Sequence, residues 1–331
     1  MKPMLIANPA AGKRWQSFSK IQDALPAWLL KSTPLRVTQC VGDAKRIAME
    51  ACDQQFDTLI AIGGDGTIHE VLNGIMAQRA SHVQLGICPM GTANDYAFSL
   101  RRKGKMAKPF SLKVDIGKAT WQQGERYFIN VAGIGLPGRV AQVARNMKRL
   151  PARIRYTCAL VCCMGGKYRT DPILSYASDE VPNDVSKLPR EYLMVSVAIG
   201  QREGSYPLSP EAQLDDGLFD VLEVGALRRR DIIRYFPRIL RGDIPTRDPR
   251  IITSRTSKLV LQSTRPIPFH LDGEDPFRES LHGESSVGNQ WLGSQWLGKQ
   301  WLGNQQQNFE LCIELIPHAI RVELLDLALS I

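Results

Sequence analysis

Asp57-Thr58-Leu59-Ile60-Ala61-Ile62-Gly63-Gly64-Asp65-Gly66-Thr67-Ile68-His69-Glu70 decides how this chain folds. Its first six residues are an apolar run of strand length. Beyond the glycines, Ile68, Val71, Leu72 and Ile75 recur at helical spacing, so the stretch reads as strand, glycine turn and helix start. Glycines at such a junction let backbone N–H groups approach an anion with no side chain in the way, and the helix N-terminus adds partial positive charge. Asp65 is the anomaly. A carboxylate among anion-seeking amides makes sense where a cation or a reacting hydroxyl is also present, because it then organises Mg2+ or accepts a proton.

The design recurs on either side. Val83-Gln84-Leu85-Gly86-Ile87-Cys88 reads as a strand and runs into Pro89-Met90-Gly91-Thr92-Ala93-Asn94-Asp95; Leu5-Ile6-Ala7 reads as the opening strand and runs into Asn8-Pro9-Ala10-Ala11-Gly12-Lys13. In an open parallel sheet, ligands bind beyond the carboxyl ends of the strands, so polar turns that follow successive strands converge on one site. Any one of them alone reads equally as an ordinary β–α turn, where Gly, Asn and Asp are common. Three in the same context favour a phosphate site.

The chain has 331 residues, more than one core usually serves, so two domains are expected. Residues 1–118 alternate short apolar strands with helical stretches, the pattern of a parallel sheet with helices on both faces. From Ala119 onward β-like runs dominate: Tyr127 to Val131, Glu191 to Ile199, Phe219 to Val224, Ser257 to Leu261 and Ile267 to Leu271, interrupted by helical stretches near Arg139 to Cys163 and Arg229 to Leu240. Residues 119–331 therefore read as a β-rich second domain. A C-terminal strand pair, Phe309 to Leu315 and Ala319 to Leu324, is expected to complete it and to lead the last residues back onto the first domain.

Seven cysteines, an odd number with no C-x-x-C pair and several in apolar runs, read as reduced thiols. The N-terminal residues lack a signal-peptide pattern, and no stretch approaches the roughly 18 apolar residues of a membrane span. A cytoplasmic protein with at most peripheral membrane contact is expected. The net charge of +9 is clustered at Arg101 to Lys105, at Arg139 to Arg155 and at Arg228 to Arg241. Such clusters are solvated helix faces, or they meet nucleotide phosphate or an anionic membrane. Nucleic acid is disfavoured, because no binding module or aromatic interleaving accompanies them.

These motifs continue along the chain as Asp115-Ile116-Gly117-Lys118, Phe128-Ile129-Asn130, Asp215-Asp216-Gly217-Leu218-Phe219-Asp220 and Asp272-Gly273-Glu274. Taken with Glu70, Asn73 and Gly74 after the first glycine turn, the ordered set resembles the diacylglycerol kinase catalytic family, specifically the compact bacterial lipid kinases that are similar to sphingosine and ceramide kinases. The resemblance implies an α/β nucleotide-binding domain, a β-sandwich second domain and an active site in the cleft between them. It implies ATP and Mg2+ as cofactors and a lipid hydroxyl as acceptor, most simply diacylglycerol giving phosphatidic acid, collected at an anionic membrane surface. A homodimer stays open.

Carried onto this sequence, the resemblance gives Asn8, Pro9, Gly12, Gly63, Gly64, Gly66, Thr67, Gly91 and Thr92 to the nucleotide. It gives Asp65, Glu70, Asn94 and Asp95 to the phosphate end of the cleft. Asp65 and Asp272 are rival general bases, with Glu274 beside them; in phosphoryl transfer one carboxylate aligns the acceptor while another holds Mg2+ and nucleotide. A structural Mg2+ is implied at the Asp216 carboxylate and the carbonyls of Gln213 and Leu218, reached by Asp115 through water. A hard cation with such oxygen ligands is chemically sound.

Other features carry less. Gly133-Ile134-Gly135-Leu136-Pro137-Gly138 spells a dinucleotide-binding pattern but lies past the domain change, contains a proline and lacks the acidic residue expected downstream. His69 reads as neutral helix filler, no zinc-ligand spacing occurs, and there is no Walker-type loop. Residues 279–308 are a departure: Gln-Trp-Leu-Gly repeats from Gln290 to Gln305 with a period of five, which fits neither helix nor strand. It reads as a loop or, through Trp291, Trp296 and Trp301, as an interfacial anchor. Two other functions stay open: phosphorylation of a soluble acceptor such as NAD, since NAD kinases share a similar Gly-Gly-Asp-Gly turn, and nucleotide or lipid binding without turnover.

Overall fold

Four short strands, β1 (Pro3–Ala7), β2 (Leu35–Val37), β3 (Thr58–Gly63) and β4 (Gln84–Pro89), pair in parallel in the order β2-β1-β3-β4. The structure is a computed structural model and describes residues 2–12, 33–103, 110–147, 150, 152–165, 170–173, 175–178, 190–277 and 308–325. The tryptophan repeat and Lys13 lie outside them. Every residue of β3 is buried, as a strand covered on both faces requires. Met4, Ile6, Leu59 and Ala61 face one side with α1 (Asp43–Asp53), α2 (Asp65–Ala77) and α3 (Asp95–Lys103). Leu5, Ala7, Ile60 and Ile62 face the other, where Leu35, Met90 and Leu325 pack. Helices α1 and α2 cross closely because Gly74 faces Ala48: a Cβ there would come within 2.6 Å of the Ala48 methyl and of the Lys45 carbonyl.

The remaining elements are β5 (Phe110–Trp121), β6 (Gly124–Phe128), β7 (Val131–Gly135), α4 (Leu136–Arg145), α5 (Ala152–Gly165), β8 (Asp171–Ile173), β9 (Ser175–Ser178), β10 (Arg190–Ala198), β11 (Phe219–Gly225), α6 (Arg229–Ile239), β12 (Ile251–Thr256), β13 (Lys258–Ser263), β14 (Phe269–Leu271) and β15 (Phe309–Leu324). An antiparallel sheet ordered β12-β11-β10-β7-β14, with β8 on β10, packs against β5, β6, β13 and β15 of the first sheet. Phe128 stacks on Phe219 at 5.8 Å and Trp121 meets Phe269 edge-on at 5.5 Å, so aromatic rings fill the space between the layers. The fold is the expected one: an α/β first part, a β-sandwich second part and a cleft between them.

Some elements differ in detail from expectation. The C-terminal strand pair is one strand, β15, irregular between Ile316 and Ile320, where Pro317 has no N–H to give the ladder and the His318 N–H turns to Asp115. It pairs antiparallel with β5 and β13, and its last residues pair in parallel with β4. Residue 118 falls inside β5, and one apolar core runs from Met4 to Val322 across both parts. The run expected as one strand from Tyr127 to Val131 is broken between β6 and β7, because the N–H groups of Ile129, Asn130 and Val131 turn to the Asp272 carboxylate. The long helical stretch divides into α4 and α5 ahead of Pro151.

Candidate active site

The three polar turns meet at the carboxyl ends of β1, β3 and β4. Asn8 ties the first to the second, its Nδ2 donating to Thr67 Oγ1 at 3.0 Å while its Oδ1 accepts the Ala10 N–H at 3.0 Å. The second and third touch backbone to backbone. A Cβ on Gly91 would stand 2.5 Å from the Gly64 Cα, so Gly91 has no room for a side chain, and one on Gly64 would press on the Gly91 Cα at 3.1 Å. Asn94, at φ 50°, clasps Gly91 from both sides, accepting its N–H at 2.9 Å and donating to its carbonyl at 3.0 Å. Gly63 faces the Thr67 side chain, and Gly12 takes φ 74°. Asn8, Gly12, Gly64, Gly66, Thr67, Gly91 and Thr92 line one end of a cavity of about 620 Å³. Pro9 and Gly63 shape these turns without lining it.

The carboxylates divide by environment. Asp65, at the start of α2, accepts the Asp95 and Tyr96 N–H groups at 3.3 and 3.2 Å and so closes the start of α3. Burial pushes its carboxyl up, the two amides pull it down, and the nearby Asp272 charge adds to the rise. Asp95 accepts the Ser205 N–H at 3.0 to 3.1 Å, and burial together with the Asp65 charge pushes it up to about 7. Glu70 turns to α1 and accepts the Gly42 and Ala44 N–H groups, each at 3.0 Å. Its carboxyl too is raised, chiefly by burial. The Glu274 carboxylate lies against Gly66, 2.8 Å from where a Cβ would be.

Asp272 is different. It sits at φ 53°, its side chain is 2% exposed, and its two oxygens accept the N–H groups of Ile129, Asn130 and Val131 at 2.9 to 3.1 Å. His69 Nδ1 supplies a further contact at 2.9 Å. Because Nδ1 faces a carboxylate and Nε2 faces the Asn73 amide, His69 is set as the Nδ1–H tautomer that donates to Asp272. It is an orienting residue, not helix filler.

The expected metal ligands lie at a separate turn. Asp115 is fully buried and accepts the Gly217 and His318 N–H groups at 2.7 Å each. Asp216 pairs with Arg255 and accepts the Leu218 N–H at 3.2 Å, while Lys103 reaches Gln213 and Asp215. The Asp216 carboxylate, to which the resemblance gives a cation, thus faces the Arg255 guanidinium. Among the described residues, no three His, Cys, Asp or Glu side chains group to hold a metal. Asp65 and Asp95 do fit Mg2+ carried by a nucleotide, which takes one or two carboxylates beside phosphate and water. Burial raises both carboxyls, and the Asp65 charge adds to the rise of Asp95.

Away from the turns the cavity becomes apolar. Leu136, Leu193, Leu222, Val224, Leu227 and Ile232 form its wall, drawn from α4, β10, β11, α6 and the turn that joins the last two. At the junction sits Tyr156, whose phenol is pushed up to about 12 by burial. Beside it, Glu203 accepts Ser196 Oγ at 2.6 Å and His270 Nε2 at 2.9 Å. His270 Nδ1 takes the Gly273 N–H at 3.0 Å, which holds the Asp272-Gly273-Glu274 turn in place. Tyr156, Glu203, Ser205 and His270 carry no motif, and only the proximity of His270 to that turn could have pointed to any of them.

Comparison with known proteins agrees with this architecture. Residues 2–120 match the diacylglycerol kinase catalytic domain, and residues 130–278 match the YegS C-terminal NAD kinase beta sandwich-like domain. A diacylglycerol kinase of Bacillus subtilis (strain 168) is 29% identical over 284 residues, 82% of this chain and 88% of that protein. A diacylglycerol kinase of Staphylococcus epidermidis is 28% identical, covering 82% and 84%. A crystal structure of a diacylglycerol kinase from Bacillus anthracis str. Sterne superposes with a TM-score of 0.61 at 19% identity, over 97% of this chain and 96% of that one. At that identity the likeness speaks to the fold.

Proposed function

Because the chain belongs to the diacylglycerol kinase catalytic family, we propose that it transfers the γ-phosphate of ATP to a lipid hydroxyl, with diacylglycerol the acceptor and phosphatidic acid the product. The observation that carries this reading is the single cavity that joins the glycine turns to an apolar chamber. Phosphates belong at one end, where Gly12, Gly64, Gly66 and Gly91 line the cavity with no side chain in the way and α2 begins. Acyl chains belong at the other. A soluble acceptor such as NAD gains little from a wall of leucine, valine and isoleucine, which ranks that alternative lower.

When bound, Mg2+ neutralises charge on the transferring phosphate. Asp65 and Asp95 are the residues suited to hold it. Asp65 is also suited to take the acceptor proton, because its amide contacts are long and burial raises the proton affinity of its carboxyl. Asp272 is assigned a positioning role, since three amides and His69 already occupy its oxygens. Glu274 orients the acceptor beside Gly66, and Glu70 keeps α1 against the site. The acceptor is collected from an anionic bilayer on its cytoplasmic side.

The test incubates the protein with γ-labelled ATP, Mg2+ and either dissolved NAD or mixed micelles of diacylglycerol, sphingosine, ceramide or phosphatidylglycerol, with Asp65→Asn as control. Labelled phosphatidic acid absent from the control is the expected result. Label only on NAD, or on nothing, refutes the reading.

A further inference from the structure

Helix α5 breaks the usual rule for a surface helix. Its inner face contributes Tyr156, Ala159 and Leu160 to the cavity and core, yet its outer face is also apolar: Ile154 is 52% exposed, Val161 is 62% exposed, and Cys158, Cys162 and Gly165 continue the same stripe. From Tyr156 to Gly165 the helix has no charged residue. A helix apolar all round belongs in a core or in lipid, and this one has solvent on one side.

Helix α6 carries the complementary feature. Ile232, Tyr235, Phe236 and Ile239 line the same chamber, while Ile233, 67% exposed, and Leu240, 52% exposed, point outward. Arg228, Arg230, Arg234 and Arg241 surround them and are exposed. Of the acids beside them, Asp231 pairs with Arg250 at 3.0 Å and reaches Arg230 only at 3.9 Å, and Asp243 pairs with Arg238 at 2.7 Å. Exposed apolar side chains framed by arginines are the composition of a helix that lies in a lipid headgroup layer.

We propose that the outer faces of α5 and α6 form a docking surface for an anionic lipid bilayer, placing the wall of the acyl chamber against the membrane from which the acceptor comes. The occupant follows from charge and continuity. Arginines select a negative surface, four exposed aliphatic side chains need an apolar layer, and both helices also wall the chamber that ends at the phosphate turns. A soluble acidic protein would meet the arginines but leave the α5 stripe uncovered. The link to acceptor delivery rests on the lipid kinase reading; the docking itself does not.

The test compares the full chain with the pair Val161→Asp plus Ile233→Asp, and with Arg230→Gln plus Arg234→Gln plus Arg241→Gln. None of these side chains lines the cavity. Sedimentation with vesicles of phosphatidylcholine containing phosphatidylglycerol, without ATP, reads docking. Activity on diacylglycerol in those vesicles and on dissolved short-chain diacylglycerol reads turnover, and melting temperature checks the fold. Each basic residue at an anionic surface is worth about fivefold in partitioning, so the triple variant should lose about a hundredfold. The apolar pair should lose at least about tenfold. Vesicle phosphorylation should fall in step while the short-chain rate holds. Variants that sediment like the parent, or a parent that ignores the vesicles, overturn the proposal. A parent that docks through these residues but phosphorylates no lipid refutes the kinase reading and leaves the surface standing.

Discussion

Replacing Asp272 with asparagine separates an anchor from a base. The carboxylate accepts the N–H groups of Ile129, Asn130 and Val131 and the His69 Nδ1–H with almost no exposure to solvent. An amide must place its NH2 against one pair of these donors. Facing His69 and Ile129 is the less damaging choice, because His69 can change tautomer, but the Ile129 N–H is then orphaned at a cost of about 1–3 kcal/mol. The Asn130 and Val131 bonds lose their charge assistance, worth about 1 kcal/mol each. The total is about 3–5 kcal/mol, a large share of the stability of an ordinary domain. At roughly 2–4 °C per kcal/mol, the melting temperature should drop by about 6–20 °C. Activity should fall with it, because the β6–β7 break and the Glu274 turn lose their common anchor. Differential scanning calorimetry and the lipid phosphorylation assay on the same preparation decide the matter. An Asp272→Asn protein that melts like the parent yet loses a thousandfold in kcat would refute the anchor argument and make Asp272 the base.

Gly91→Ala puts a methyl 2.5 Å from the Gly64 Cα and should force the two glycine turns apart, raising the KM for ATP by at least about tenfold with a stability loss of about 1–3 kcal/mol; titration of initial rates against ATP checks it. Asp95 is raised to about 7 in the folded chain, so the folded state keeps a proton that the unfolded state releases, and stability should fall as pH rises from about 4 to 7 and then level. Asp95→Asn should remove this contribution, so its melting temperature should gain on the parent's across that window; parallel curves would refute the assignment. Leu222→Trp fills the chamber and displaces about four methylenes of a bound chain, about 3 kcal/mol or a hundredfold in kcat/KM, which should appear with long-chain and vanish with short-chain acceptors.

What the sequence made legible is what short-range chemistry encodes. The glycine turns could be read because strand, turn and helix are contiguous, and because Gly64 and Gly91 need no knowledge of each other to announce a tight approach. The partners across the cleft could not be read. His69 and Asp272 are 203 positions apart, and Asp95 and Ser205 are 110 apart, so only the closed fold says that one imidazole orients one carboxylate and one loop caps another. Asp272 shows the limit most clearly: its residue type and its place on the cleft followed from the motif, but its role depends on which amides reach it. That depends in turn on the break between β6 and β7, and a run of β-forming residues such as Tyr127 to Val131 does not advertise one. The same reasoning explains Pro317. Hydropathy sees a proline between two apolar runs and reads two strands, while the antiparallel register with β5 resumes beyond it and makes one. An Asp115→Ala change should therefore loosen β15 at the His318 kink as well as the Gly217 turn, because that one buried carboxylate holds the N–H groups of both. Amide exchange should rise at Gly217 and His318 together, and exchange confined to Gly217 would mean that the strand irregularity is held by its ladder alone.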